Sequence, residues 1–189
     1  MSDCFILLAA GKGKRFKSNT LKQFHILNGK PLIYHSIEKA IKSKIFKEVI
    51  VVTNSKIKKP KDKIIKVIKG GLERFESSKR ALEYIKNKKF KNVYIHDAAR
   101  PNFSVKLLKR LNRELNNNKA VVPYTNTDHS VKYREGVNIF NLKRENLILT
   151  QTTQCFDFKT LYKLSNNNKK YISDEATLFI KNNLKIKFI

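Results

Sequence analysis

Cysteine, acidic side chains and long apolar runs are all scarce in this chain. Its two cysteines, Cys4 and Cys155, lie far apart, with no Cys or His beside either at metal-ligand spacing. A cysteine-built metal site is therefore excluded, and both read as ordinary thiols. No stretch approaches the roughly 20 consecutive apolar residues that span a bilayer, so no membrane partner is expected. The opening Ser2-Asp3-Cys4-Phe5 also lacks the basic segment that begins a secretory signal, which makes a cytoplasmic address the expectation. Asp and Glu number 15 against 41 Lys and Arg, and the resulting +26 raises nucleic-acid binding as a hypothesis. The lysines are spread over nearly every segment among many Asn and Ile residues, which reads as a composition bias rather than one basic face. Attraction of small polyanions such as nucleotides is the other use for that charge.

What is present is enough for a core. An apolar fraction of 41% in 189 residues supports collapse into a single domain covering 1–189. An apolar run, Phe5 to Leu8, enters Ala9-Ala10-Gly11-Lys12-Gly13-Lys14-Arg15, the pattern of a buried strand ending in a glycine turn. After Asn28-Gly29, Pro31 can open a helix whose apolar positions are Ile33, Ile37, Ala40 and Ile41. Strands are expected at Glu48 to Thr53, at Ile64 to Ile68 before Gly70-Gly71, and at Val93 to Asp97. A helix starting near Ser77 precedes the last of these. Ser104 can cap a helix with the stripe Leu107, Leu108, Leu111 and Leu115, and Ala120 to Pro123 supplies another short strand.

This alternation implies an α/β fold, a mostly parallel sheet with helices on both faces. Ligands gather at strand carboxyl ends in such sheets. The Gly11 loop, Gly70-Gly71 and Asp97 all fall at such ends, so one cleft is expected to hold them. From Ser130 to Leu149 the rhythm changes. Val131, Tyr133, Val137, Ile139 and Leu142 alternate about a Glu135-Gly136 turn, which predicts a protruding β-hairpin arm at about 127–149. Such a hairpin packs on its own domain or embraces another subunit. Short helices near Phe158 to Leu164 and from Ser173-Asp174-Glu175, then a strand Lys185 to Ile189, close the chain.

A glycine turn frees backbone N–H groups to approach phosphate oxygens. Gly11-Lys12-Gly13 alone is a weak signal, and its spacing matches neither the GxxxxGK[ST] loop nor the GxGxxG fingerprint. Arg15 and Lys22 add two cations that can neutralise a triphosphate and the charge that builds when its α-phosphorus is attacked. Solvated surface in a lysine-rich chain is the alternative for both.

Ala9-Ala10-Gly11-x-Gly13-x-Arg15 with Lys22-Gln23-Phe24 resembles the nucleotide loop and Lys-Gln-aromatic signature of the methylerythritol-phosphate cytidylyltransferases. Gly70-Gly71-x-x-Arg74-x-x-Ser77, His96-Asp97-Ala98-Ala99-Arg100-Pro101, Gln151-Thr152-Thr153-Gln154 and Ser173-Asp174-Glu175-Ala176 are similar to the family's other blocks, in the same order. The resemblance implies a Rossmann-like enzyme, homodimeric through an exchanged β-arm. It would use Mg²⁺ to transfer CMP from CTP to 2-C-methyl-D-erythritol 4-phosphate in isoprenoid precursor synthesis, releasing pyrophosphate. It assigns the triphosphate and its transition state to Ala9, Ala10, Gly11, Gly13, Arg15 and Lys22, and the remaining CTP contacts to Gly71, Ser77 and Ala98. Asp97 and Arg100 would face the metal and polyol. Arg144 would reach the methylerythritol phosphate of the neighbouring subunit, and Thr152 and Ser173 would bond the same substrate. Because the acceptor is already a phosphate monoester, it needs no general base, which fits a site without a catalytic dyad. His96 then reads as structural, and Asp97 as the carboxylate for Mg²⁺.

The chain departs from the family pattern at several places. Leu72 stands where a polar residue is common, Leu21 precedes Lys22 in place of Pro, and Thr153 replaces the Pro of Gln-Thr-Pro-Gln. The arm threonine has only Ser130 or Thr127 as a stand-in. The late Asn-x-Lys strand is not reached, so the C-terminal end of the domain is expected to be missing and the chain to be the front of a longer or two-enzyme polypeptide. The rivals are a ribitol-5-phosphate cytidylyltransferase and, in another class, a basic nucleic-acid-binding protein.

Overall fold

The computed structural model describes residues 2–11, 13, 18, 20–58, 60–168 and 171–189. Its centre is a seven-stranded sheet built from β1 (Ser2–Leu8), β4 (Phe46–Val52), β5 (Ile65–Ile68), β6 (Phe90–Asp97), β7 (Ala120–Val122), β12 (Gln154–Asp157) and β13 (Lys187–Phe188), in the order β13-β7-β12-β6-β1-β4-β5. Every pairing is parallel except those of β12, which runs antiparallel to both β6 and β7. The intervening small elements are β2 (Ile26–Leu27) and β3 (Lys30–Pro31), which form a hairpin about Asn28-Gly29.

β1 is apolar on both faces because helices cover both. Cys4, Ile6 and Leu8 point into one core cluster, while Phe5, Leu7 and Ala9 point into the other. The second cluster is closed by α1 (Leu32–Ser43), through Ile33, Ile37 and Ala40, and by α3 (Val105–Leu115), through Leu108, Leu111 and Leu115. Burying each of these leucines contributes about 2 kcal/mol. Ser104 caps α3 as expected, accepting from Leu107 N at 3.0 Å. The first cluster is closed by α2 (Arg74–Ile85), α4 (Phe158–Asn167) and α5 (Ala176–Lys181), through Leu82, Leu161 and Phe179.

Beyond shifts of a few residues at strand ends, the structure departs from the sequence reading at α2, at β12 and in the arm. α2 opens at Arg74, not near Ser77, with Glu73 as its N-cap, and Glu76 Oε2 reaches back to accept from Leu72 N at 2.8 Å just ahead of the cap. β12 was not foreseen: four residues without alternation or a flanking turn leave no strand signal. The hairpin of β9 (Val131–Glu135) and β10 (Asn138–Leu142) turns at Gly136-Val137, one residue later than expected, with Glu135 paired to Asn138 and Gly136 at φ +60°. A glycine at the first loop position with positive φ is what a type II′ turn requires. The arm is rooted by a second short pair, β8 (Tyr124–Thr125) with β11 (Leu149–Thr150).

The order reverses at β1. The chain leaves β1 toward β4 and β5 and returns to β6 on its other side, with Leu8 in register with both Val52 and Asp97. A crevice at the carboxyl ends of β1 and β6 follows from that topology.

Candidate active site

The glycine loop after β1 is clamped by a buried amide. Gln23, in the 3-10 turn Lys22–Phe24, is 4% exposed and donates its Nε2 to Ala9 O at 2.8 Å and to Gly11 O at 3.3 Å. This bond fixes the neighbouring Lys22 at the crevice. Gly70 follows β5 because Ala10 leaves no room for more. A Cβ there would lie 2.3 Å from the Ala10 Cβ and 2.9 Å from Ser77 Oγ. Ser77 Oγ in turn accepts from Gly71 N at 3.0 Å, so the double glycine and the first turn of α2 form one unit.

Together these segments enclose a cavity of about 280 Å³, lined by Ala9, Ala10, Gly11, Gly13, Lys22 and Gln23 on the loop side. Arg74, Ser77, Asp97, Ala99 and Arg100 line the other side. Asp97 ends β6 with its side chain 25% exposed; its Oδ1 accepts from Arg74 Nε at 3.0 Å and its Oδ2 lies 3.4 Å from Arg100 Nε. Arg74 also donates from NH1 to both oxygens of Glu175, at 3.0 and 2.9 Å. Burial opposes the charge on Arg74, but Glu175 and then Asp97 outweigh it and hold the guanidinium more firmly protonated than usual.

A second cavity of about 780 Å³ adjoins the first, sharing Lys22, Ala99 and Arg100. It reaches Arg110, Thr125, Gln151 and Thr152 at the root of the arm. Arg100 donates to Gln151 Oε1 at 3.1 Å. The Thr152 hydroxyl is buried and has no hydrogen-bond partner among the described residues. A buried orphan hydroxyl costs about 1–3 kcal/mol.

His96 sits beneath, fully buried. Its Nε2 faces Arg100 O at 2.9 Å and must donate, so Nδ1, 3.1 Å from Thr153 Oγ1, accepts. Burial lowers its pKa to about 4 and keeps the ring neutral. Thr153, where the family pattern has Pro, thus serves as a donor to the ring and follows a cis peptide bond.

Of the residues singled out from sequence, the first cavity collects Ala9, Ala10, Gly11, Gly13, Lys22, Ser77, Asp97 and Arg100, and the second adds Thr152. Gly71 supports Ser77, while Ala98 is buried and donates its N–H to Leu8 O at 2.9 Å, tying β6 to β1. Arg15 lies outside the described residues. Ser130, Arg144 and Ser173 line neither cavity. Ser130 accepts from Lys132 Nζ at 3.0 Å on the arm, and Ser173 Oγ lies 3.3 Å from Thr177 Oγ1. Arg144 is not on the returning strand but in a 3-10 turn past β10, donating to Asp128 O at 3.1 Å. Thr127, the other arm candidate, uses its hydroxyl to accept from His129 N at 3.2 Å. Sequence reasoning gave no role to Gln23, Arg74 or Glu175, although all three stand inside its recognised blocks.

Residues 4–189 match the family described as 2-C-methyl-D-erythritol 4-phosphate cytidylyltransferase. The chain belongs to that family. Its members are cytidylyltransferases, a class of nucleotidyltransferase. The chain is 48% identical over 193 residues to the bifunctional enzyme IspD/IspF of Pelagibacter ubique, matching along all of its own length and 52% of that protein. It is also similar to the 2-C-methyl-D-erythritol 4-phosphate cytidylyltransferase of Clostridium kluyveri, at 33% identity, covering 94% of this chain and 82% of the relative. The fold matches the crystal structure of the Francisella tularensis cytidylyltransferase with a TM-score of 0.84 at 26% identity, over 100% of this chain and 90% of that one. Among the described residues no helix is long and apolar enough to cross a membrane.

Among the described residues no cluster of three or more His, Cys, Asp or Glu side chains could hold a metal. Among the described residues, Asp97 is the single carboxylate that lines the first cavity. That fits Mg²⁺, which keeps waters and binds through one or two carboxylates plus substrate phosphates.

Proposed function

We propose that this chain transfers CMP from CTP to 2-C-methyl-D-erythritol 4-phosphate, giving 4-diphosphocytidyl-2-C-methyl-D-erythritol and pyrophosphate for isoprenoid precursors, in the cytoplasm where CTP is available. One observation carries the reading: the clamped glycine loop, Lys22, Ser77, Asp97 and Arg100 converge on one cavity that opens into a second. CTP occupies the first cavity, with its triphosphate along the loop and Lys22. The acceptor phosphate enters from the second, near Arg100 and Thr152. Its oxygen attacks the α-phosphorus, a new P–O bond forms, the bond to the β-phosphate oxygen breaks, and pyrophosphate departs with that electron pair.

A phosphate monoester oxygen is nucleophilic at neutral pH, so catalysis is positioning and charge neutralisation. Lys22, with Arg15, stabilises the charge that develops around the α-phosphorus. Mg²⁺, held by the triphosphate with Asp97 as its protein oxygen, would add further neutralisation. The arm supports a homodimer. Tyr133, Val137, Ile139, Phe140 and Leu142 are all 39–96% exposed, more apolar surface than a two-stranded hairpin leaves bare without a partner. Arg144 and Ser130 act in the neighbour's site.

The ribitol 5-phosphate alternative is not favoured, because the matched family and relatives are named for the methylerythritol phosphate. Pyrophosphate release from CTP tests the choice, measured with each polyol phosphate in turn. Release only with methylerythritol phosphate is expected; release only with ribitol 5-phosphate overturns the assignment. The charge of +26 supports no separate nucleic-acid reading here, and a salt-sensitive RNA complex at physiological ionic strength would reopen it.

A further inference from the structure

We infer that Arg74 and Glu175 form a positioning pair that aims Asp97 at the acceptor. The inference rests on the proposed cytidylyl transfer. Arg74 spends its planar fork on two carboxylates, Nε on Asp97 Oδ1 and NH1 on both oxygens of Glu175. Glu175 is 1% exposed and is held from behind. Gln154 on β12 donates to Asp174 Oδ2 at 2.7 Å and accepts from Ala176 N at 3.3 Å, which locks the segment carrying Glu175 to the central sheet. Arg74 is therefore fixed on its buried side, and its Nε fixes Asp97 on the cavity side.

Stability alone is a poor account of this arrangement, since a buried ion pair often contributes less than well-packed apolar residues of the same volume. Its geometry serves the site better. Arg74 and Arg100 balance Asp97 and Glu175 in charge, and Arg74 holds Asp97 Oδ1 from the buried side so that Oδ2 turns to Arg100 on the cavity side, 3.4 Å away. Glu175 itself lines neither cavity and reaches the first one through Arg74.

The test compares the wild type with Glu175→Gln, which preserves shape, and with Arg74→Gln/Glu175→Gln, which removes both buried charges together and so protects folding. Pyrophosphate release is measured while CTP and the acceptor are varied separately, and urea unfolding is followed alongside. Both variants should raise KM for the acceptor by about fivefold or more, the loss of a charge-assisted contact, and KM for CTP by clearly less. The acceptor loss should exceed anything the unfolding midpoint predicts. Unchanged acceptor kinetics, or a parallel loss for both substrates that tracks the midpoint, overturns the pair as a positioning device. A wild type inactive with CTP and either polyol phosphate overturns the proposed function itself, and this inference with it.

Discussion

The cleft and the arm of this protein are built on opposite rules. Around the cleft, polar groups are buried and paired within one chain. Gln23 clamps the loop, His96 satisfies both ring nitrogens, and Arg74 spans two carboxylates. Along the arm the order is inverted. Apolar side chains such as Val137 and Ile139 stand 96% and 59% exposed, and Arg144 bonds to Asp128 O and Glu145 close by in the chain. The difference teaches that the cleft is preorganised within this chain, as electrostatic catalysis requires, whereas the arm's apolar side chains are left uncovered by the described residues.

Acid should break the cleft before the arm. The folded pKa of His96 is depressed to about 4 by burial, against about 6.5 in the unfolded chain. Its contribution is therefore complete above about pH 6.5 and is lost as pH falls from there through about 4, in total about 3 kcal/mol. Urea unfolding at pH 7, 5.5 and 4.5 should show that decline, and His96→Gln, which cannot titrate, should flatten it. An equal slope in both proteins would detach the acid sensitivity from this ring.

Lys22→Ala should lower kcat about 100-fold while KM for CTP moves far less, because one preorganised cation over the reacting phosphorus stabilises the transition state by about 2.7 kcal/mol or more. Retention of more than about half of kcat would remove Lys22 from the chemistry. Thr152→Val should act in the other direction on the two observables. Acceptor KM should rise about fivefold, the value of one hydrogen bond, while stability holds or improves because the orphan hydroxyl is gone. A loss of stability at constant acceptor KM would mark that hydroxyl as structural.

The parts legible in the sequence were those with local signatures. Strand β1 and its glycine turn, the Ser104 cap and the alternation of the hairpin each depend on neighbours in the chain. Alternation places Gly11, Gly70-Gly71 and Asp97 at strand carboxyl ends, so their meeting in one cleft was also readable, whereas the strand order was not. What stayed hidden depends on distance. Glu175 lies 101 residues from Arg74, and no local pattern marks them as partners. Gln23 looked like the tail of a motif headed by Lys22, because its work is done on carbonyls 12 and 14 residues earlier. β12 is short and buried between β6 and β7, with its pairing supplied wholly by them.

Subunit mixing puts the contrast between cleft and arm to its most direct test. Inactive homodimers of Lys22→Ala and of Arg144→Ala are prepared separately and then allowed to exchange subunits. If each site takes Lys22 from one chain and Arg144 from the other, a mixed dimer holds one doubly damaged site and one intact site. Pyrophosphate release should return, approaching about half of the wild-type rate per mixed dimer by two-fold symmetry. A flat result, with exchange confirmed by mass spectrometry, would place Arg144 and Lys22 in the same chain and contradict the shared site.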